Sequence, residues 1–359
     1  MRIGLDNRAI KMSGIGIYTH NLFCELKKNN NNNVNLYDDN LIVARKRFLT
    51  KYVNFCIRII KEQNCLNKWF KEKNLNLYHV PKNTGVPFFH SVPVVVTIHD
   101  IIPHVFPDKY LSNILERIWY ELAIRVSIHR SDKILTISNF SKEELIRYYD
   151  VDSSKIEIVS LAYNVAFRKI EDTSMLNDVK VRYGLNKKYI LAIGGSEYRK
   201  NIQRLINVYM KNFGDDYELI VVGGKWRDID LSKKYQGENI RFITGVPEED
   251  LIAIYNMASV FVFPSFYEGF GIPVLEGMAC GVPVITSNIS SMPEVGGDAA
   301  IYFNPYDEKD MAEKIKTVLG DNQLREEMIS KGLEKVKEYS WEKCAKETLK
   351  VYEEVLGEK

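Results

Sequence analysis

No apolar run in the sequence approaches the roughly 18 to 20 residues that span a bilayer, so no transmembrane helix is expected. Cysteine is sparse: Cys24, Cys56, Cys65, Cys280 and Cys344 are odd in number and scattered, without the paired spacing of a zinc or redox site, and read as reduced packing residues. Charge of one sign is lacking too. The 49 Lys plus Arg against 47 Asp plus Glu leave +2, which offers no argument for a nucleic-acid partner. The opening Arg2-Ile3-Gly4-Leu5-Asp6 carries no cationic leader followed by an apolar core and reads as a strand, so the expected location is cytoplasmic. What is present, 45% hydrophobic and 27% charged residues, is the composition of an ordinary folded protein.

A length of 359 residues, at roughly 150 per domain, points to two domains. Apolar stretches of strand length alternate with longer stretches of helical period, the pattern of parallel sheets joined by crossover helices, and the pattern occurs twice. In the first half, strands are expected at 3–5, 41–43, 77–80, 94–98, 134–137 and 156–159, with helices at 16–27, 109–130 and 142–149. In the second half, strands are expected at 189–193, 218–222, 240–243, 260–263 and 283–286, with helices at 202–211, 249–257 and 272–280. The intervening 166–188 is polar and poorly periodic, which marks it as a linker between a first domain at 1–165 and a second at 189–340. The tail, 341–359, has apolar residues at helical spacing and reads either as a closing helix packing back on the first domain or as a simple terminal helix. The asparagine run at 29–33 reads as a surface turn.

Ligands of doubly wound sheets bind beyond the carboxyl ends of the strands, so the turns from strand to helix carry the information. Ser13-Gly14-Ile15-Gly16 lies between the first strand and the first helix, where paired glycines let backbone amides approach a phosphate; a tight turn explains them as well. The apolar strand at 94–98 ends in His99 and Asp100, two polar side chains expected to project into a cleft, and His79 ends a neighbouring strand ahead of Pro81-Lys82-Asn83. Opening the second half, Gly194-Gly195-Ser196-Glu197-Tyr198-Arg199-Lys200-Asn201 combines glycines, two adjacent cations and a helix start, a set suited to a diphosphate. A departing diphosphate gathers negative charge, and a preorganised donor there contributes ~10²- to 10³-fold in rate. The most informative turn is Pro264-Ser265-Phe266-Tyr267-Glu268-Gly269-Phe270-Gly271-Ile272-Pro273-Val274-Leu275-Glu276. Gly269 and Gly271 open backbone amides toward a ligand, and Glu276, in the apolar body of a helix, needs a partner such as ribose hydroxyls.

These segments carry a resemblance. Asp6-x-Arg8 with Gly14-Ile15-Gly16-x-Tyr18-Thr19, Thr97-Ile98-His99-Asp100, Ser138-Asn139-Phe140-Ser141 and Arg199-Lys200-Asn201 form its first part. Phe263-Pro264-Ser265, Glu268 and Glu276, and Ser287-Asn288-x-Ser290-Ser291-Met292-Pro293-Glu294-Val295 complete it. The chain resembles the family 4 retaining glycosyltransferases, in particular the bacterial mannosyltransferase-like proteins that build O-antigen and capsule chains. The resemblance implies an α/β protein of the GT-B fold, two Rossmann-like doubly wound parallel-sheet domains facing an inter-domain cleft. It implies no metal and no cofactor. The nucleotide-sugar donor is a substrate, GDP-mannose favoured and UDP- or dTDP-sugars alternatives, and the acceptor is a hydroxyl of a glycan or lipid-linked glycan. Carried over, the donor site comprises Gly14, Gly16, Gly195, Ser196, Arg199, Lys200, Glu268, Gly269, Phe270, Gly271, Ile272, Pro273, Val274 and Glu276. Within it, Arg199 and Lys200 hold the diphosphate, Glu268 meets sugar hydroxyls and Glu276 the ribose. His99, Arg199, Lys200 and Glu268 form the implied catalytic set, with His99 on the transferred sugar; Ser13, Ile15, Asp100 and His79 are acceptor-side candidates. One departure is clear: many relatives carry an Arg directly after the glycine of the second-domain strand, and that place is Gly195 or Ser196 here.

Other readings leave marks of their own. A metal-dependent transferase of the GT-A type needs Asp-x-Asp, which Asp228-Ile229-Asp230 fits formally, although ahead of a charged helix it reads more simply as a cap. A nucleotide-sugar epimerase needs a complete Gly-x-Gly-x-x-Gly opening together with a Tyr-x-x-x-Lys base, a combination that does not appear, and a non-catalytic sugar-binding scaffold predicts loss of the glutamate pair or the lysine, none of which is lost. Between 41 and 76, Arg45, Lys46, Arg47, Lys51, Arg58, Lys61, Lys68, Lys71 and Lys73 face only Glu62 and Glu72 and alternate with aromatic and aliphatic residues. That stretch reads either as a solvated helical face or as a peripheral contact with an anionic membrane.

Overall fold

A computed structural model describes residues 1–8, 14–28, 33–37, 64–223, 235 and 239–357. The strand expected at 41–43, most of the cationic stretch, Ser13 and Asp228-Ile229-Asp230 lie outside the described residues. The chain forms two compact units, 1–161 with 341–359, and 162–340.

The first unit is built on β1 (Arg2–Asp6), β2 (Asn33–Tyr37), β3 (Leu77–Val80), β4 (Val94–Thr97), β5 (Lys133–Thr136) and β6 (Ile156–Ile158). They form one parallel sheet in the order β2-β1-β3-β4-β5-β6. All of β4 is buried, as expected of a central parallel strand covered on both faces, and its β-branched residues suit the extended backbone. Val94 and Val96 pack in one core with Ile124 and Ile128 of the helix Ile114–Arg130 and with Leu66 and Phe70. Burying one such side chain stabilises by about 1.5–3 kcal/mol. The helix Trp341–Leu356 belongs to this unit: Trp341 lies 6.3 Å from the Tyr18 ring, and the Tyr352 hydroxyl is 2.6 Å from His79 Nδ1.

The second unit carries β7 (Tyr189–Ile193), β8 (Glu218–Gly223), β9 (Ile240–Thr244), β10 (Val260–Phe263), β11 (Val284–Ser287) and β12 (Ala300–Phe303), parallel in the order β12-β11-β10-β7-β8-β9. Strand order reverses between β1 and β3 in one sheet and between β7 and β10 in the other. Such switch points open the crevices in which doubly wound sheets hold ligands.

Several elements differ from expectation. The polar stretch at 166–188 contains the helix Thr173–Tyr183, capped by Asp172, ended by the left-handed Gly184, and tied down where Arg182 and Tyr183 bond Asp250. Its only buried residue is Val179, so hydrophobic period could not show it. The helix expected at 109–130 is two, Pro107–Tyr110 and Ile114–Arg130. Asn113 restarts the chain by accepting the Glu116 amide at 3.0 Å while the Glu116 carboxylate accepts the Ser112 amide at 2.8 Å. Asn33 opens β2 rather than closing a turn.

Candidate active site

At the carboxyl end of the first sheet, β4 delivers His99 and Asp100. Asn83, just after β3, brackets that peptide: its Oδ1 accepts the His99 amide at 2.8 Å and its Nδ2 donates to the Asp100 carbonyl at 2.9 Å. Ser141 Oγ donates to the His99 carbonyl at 3.0 Å, while Ser138 caps the helix Asn139–Tyr149 on which Ser141 sits. The shared serines of that turn thus hold the histidine backbone. His99 Nε2 lies 3.1 Å from the Pro81 carbonyl, which only accepts, so Nε2 carries the proton and Nδ1 keeps the lone pair. Burial lowers the ring's pKa to about 4, against the bond to Pro81, so the imidazole is neutral at pH 7. The Tyr18 ring meets it edge-on at 4.9 Å.

His79, the other acceptor-side histidine, is fully buried, and both ring nitrogens are engaged, Nδ1 with Tyr352 and Nε2 with Thr97 Oγ1 at 2.7 Å. The Asp100 carboxylate accepts the Ile102 amide at 3.2 Å and caps its own turn. Gly14 and Gly16 stand in the first turn of the helix Gly14–Lys28, Gly14 with open space where a Cβ would lie, and Ile15 is half-buried beside them. At the end of β1, buried Asp6 pairs with Arg8 and, at 3.4 Å, with Lys82 after β3. Burial alone raises this carboxyl, but Arg8 and Lys82 hold it below the ordinary carboxylate value.

In the second unit, the turns after β7 and β10 flank the strand-order reversal and touch. The Phe266 amide donates to the Arg199 carbonyl at 2.7 Å. Glu268 sits between the two cations, Oε2 2.5 Å from Arg199 Nη1 and Oε1 2.7 Å from Lys200 Nζ, with Ser265 Oγ donating to Oε1 at 2.9 Å. Burial opposes the charge on Glu268, but Lys200 and Arg199 hold its carboxyl below the ordinary value. Burial lowers Lys200, against the attraction of Glu268. Arg199 also pairs with Glu197, Nε to Oε2 at 2.8 Å, so the two cations are matched by two carboxylates, Glu268 buried and Glu197 half exposed. Gly195 has open space beside it, and Ser196 is half-buried on the same turn.

The loop Glu268–Gly271 is fixed by one side chain that sequence reasoning gave no role. Ser291 Oγ donates to the carbonyls of Glu268 and Phe270 at 2.9 and 2.6 Å. Gly271 takes φ 113° to open the helix Ile272–Ala279, and a Cβ there would lie 2.4 Å from Met292 Cε. Phe270 and Val274 turn their side chains into the protein, Phe270 onto Tyr339. Ile272 and Pro273 are half-buried at the helix start. Glu276, about one turn further on, accepts from the Tyr255 hydroxyl at 3.1 Å. Burial raises its pKa to about 7, with Tyr255 opposing and Glu248 adding to the rise. Tyr255, Asn83 and Lys82 were not singled out in the sequence. Lys82 and Asn83 stand in the turn that follows His79, whereas no motif marks Tyr255.

Known families match both halves. Residues 12–167 match the family described as Glycosyltransferase Family 4, and residues 177–335 match Glycosyl transferases group 1. The O-antigen chain mannosyltransferase B of Escherichia coli is 36% identical over 287 residues, covering 77% of this chain and 74% of that protein. The chain belongs to the family 4 glycosyltransferases. The serotype-specific mannosyltransferase WbdA of E. coli is 32% identical over 70% of this glycosyltransferase, which spans only 32% of that longer protein. Among solved structures, sucrose-phosphate synthase of Thermosynechococcus elongatus superposes with a TM-score of 0.77 at 18% identity over 100% of both chains. WaaG, a glycosyltransferase involved in lipopolysaccharide biosynthesis, superposes with a TM-score of 0.75 at 15% identity over 98% of this chain and 99% of its own. These likenesses establish the GT-B architecture of two six-stranded parallel sheets.

Proposed function

We propose that this glycosyltransferase moves a mannosyl residue, with retention, from a nucleoside-diphosphate sugar to a hydroxyl of a growing glycan, without a metal. The observation that carries the reading is the cradle of Arg199 and Lys200 around Glu268 at the strand-order reversal of the second sheet. Fixed cations beside the leaving diphosphate take the charge that a metal would otherwise neutralise. On departure, a diphosphate oxygen on the same face of the sugar accepts the proton of the incoming acceptor hydroxyl, and the new bond forms on the face the diphosphate left. Glu276 accepts from ribose hydroxyls. Neutral His99, proton on Nε2, offers Nδ1 to a hydroxyl of the transferred sugar.

Mannose, with GDP as carrier, is favoured by the mannosyltransferase names of the relatives; UDP- and dTDP-sugars are the alternatives. A panel of nucleotide sugars, read by release of nucleoside diphosphate and by the anomeric configuration of the product, tests the assignment. GDP-mannose should turn over fastest, with an α product and undiminished rate in EDTA. Loss of turnover in EDTA with rescue by Mn²⁺ refutes the metal-free part, and an inverted product refutes retention.

A further inference from the structure

The second unit carries a groove of about 640 Å³ between the helices Ile202–Asn212 and Glu308–Gly320. Tyr306 forms part of its wall and is 61% exposed. The ring is held in place. It stacks on Phe266 with centroids 4.9 Å apart and planes inclined by 16°, and the Arg204 guanidinium lies 5.3 Å from the Phe266 centroid and 5.9 Å from that of Tyr306. Arg204 donates in turn to the Pro305 carbonyl at 2.7 Å, and the Tyr306 amide donates to Asn304 Oδ1 at 3.0 Å. Phe266 and Tyr306 stand just past the ends of β10 and β12, and the Phe266 amide bonds the Arg199 carbonyl, so the stacked rings sit at the carboxyl end of the sheet beside the cradle. Beyond the ring the groove offers the amides of Asn212 and Asn304 and four charged groups, Lys211 and Lys309 against Asp307 and Glu308. Lys211 Nζ pairs with Glu308 Oε2 at 2.7 Å.

We infer that this groove is a glycan-binding site, in which a sugar ring of a polysaccharide lies against the Tyr306 ring. A pyranose has an apolar face of C–H bonds and a rim of hydroxyls. A fixed aromatic ring edged by amides, carboxylates and ammonium groups matches both, and loses little rotamer freedom when it binds. The charged groups that line the groove balance, two against two, which suits an uncharged ligand and disfavours a phosphate or a second nucleotide. Topology separates the groove from the nucleoside of the donor. β7 leads to β8 in one direction across the sheet and β10 leads to β11 in the other, so right-handed crossovers put the helices Ile202–Asn212 and Ile272–Ala279 on opposite faces. Tyr306 packs with Arg204 of the first helix, whereas Glu276, the proposed ribose partner, stands on the second. For an acceptor that is a growing glycan, a point that rests on the proposed function, a chain held here keeps a raised local concentration at the unit that takes the donor. The binding itself is independent of which donor is used.

The test is calorimetric titration of the full chain with α-linked mannose oligosaccharides of increasing length and, in parallel, with GDP. Oligosaccharide affinity should rise with chain length, fall on the order of tenfold or more in Tyr306→Ala, and be kept in Tyr306→Phe, which retains the stacking face. Lys309→Ala, which leaves the stacked rings intact, should weaken binding several-fold. Val181→Ala, which trims an apolar side chain 80% exposed on another helix, should leave it unchanged. GDP affinity should be that of the wild type in Tyr306→Ala. Absence of oligosaccharide binding by the wild type, or wild-type affinity in both Tyr306→Ala and Lys309→Ala, overturns the proposal. Parallel loss of GDP and oligosaccharide affinity in Tyr306→Ala overturns it too, by placing the ring in the donor site. Release of GDP from GDP-mannose is measured separately. Tyr306-dependent oligosaccharide binding in a protein that releases no GDP supports the groove and counts against the proposed function, and release of GDP without oligosaccharide binding does the reverse.

Discussion

Glu276 is a carboxylate in the wrong solvent. Burial lifts its pKa to about 7, so near neutrality it is divided between an ionised form, the stronger acceptor for the ribose hydroxyls proposed as its partners, and a neutral, weaker one. Nucleoside-diphosphate affinity should therefore fall as pH drops below about 7, and Glu276→Gln should bind weakly at every pH. Tyr255→Phe removes a donor that favours the charged form and should move the midpoint upward. Titration calorimetry across pH checks this; a midpoint unmoved by Tyr255→Phe would show that the hydroxyl does not reach the carboxylate. Glu268 behaves oppositely, being held ionised by Lys200 and Arg199. It pairs with the two cations proposed to meet a diphosphate. Glu268→Gln should leave nucleoside-diphosphate affinity equal or tighter while turnover falls, whereas Lys200→Met should weaken that affinity on the order of tenfold or more. Parallel loss of affinity in both variants would remove the distinction between the two residues.

Among elements, the loop from β10 into the helix Ile272–Ala279 shows what a sequence can and cannot express. Its glycines and glutamates stand in one continuous motif, and the strand expected at 260–263 is β10 itself. The reason Gly271 is glycine is not in the motif: it needs φ 113° and the space that Met292 leaves. Gly271→Ala should cost about 1–3 kcal/mol and lower the melting temperature of the second unit by several degrees, readable by calorimetry. An unchanged melting temperature would mean that the loop relaxes. Central strands were legible because both faces are buried and most of the residues are apolar, as in β3, β4, β7 and β10. The edge strand β2 was not. Val34 and Leu36 are its only aliphatic residues in an asparagine-rich run, and its place is set by parallel pairing with β1. The helix Thr173–Tyr183 went unseen for a related reason, being held by ion pairs and caps rather than by an apolar stripe. Of the candidate site residues, His99, Arg199, Lys200 and the two glutamates stand in sequence motifs. The groups that hold them, Asn83, Ser141, Ser291 and Tyr255, act through backbone carbonyls and single hydrogen bonds that leave no period in the chain.

At the scale of the molecule, the two units should answer acid in opposite ways. In the first, burial depresses His79 to about 3 and His99 to about 4, from an ordinary 6.5. The unfolded chain therefore binds more protons as pH falls from about 6.5, and the stability present at pH 7 is lost at up to about 1.4 kcal/mol per pH unit for each histidine. In the second unit, Glu276 is raised from 4.5 to about 7, so the folded state binds the extra proton. Its contribution is lost as pH rises through about 7 and recovered as pH falls toward 4.5. Below that range Asp6 and Glu268, both held low, act against the folded state in either unit. Between pH 7 and pH 5, scanning calorimetry should show one transition moving down and the other holding or rising. The downward slope should be shallower in His79→Gln, and the gain in the second transition should vanish in Glu276→Gln. Assignment of the transitions is direct, because a nucleoside diphosphate bound by the second unit raises only that one at neutral pH, by mass action on its folded state. Two transitions with a common slope against pH would refute the opposition, and a nucleotide that raised the acid-labile transition would place its binding site in the wrong unit.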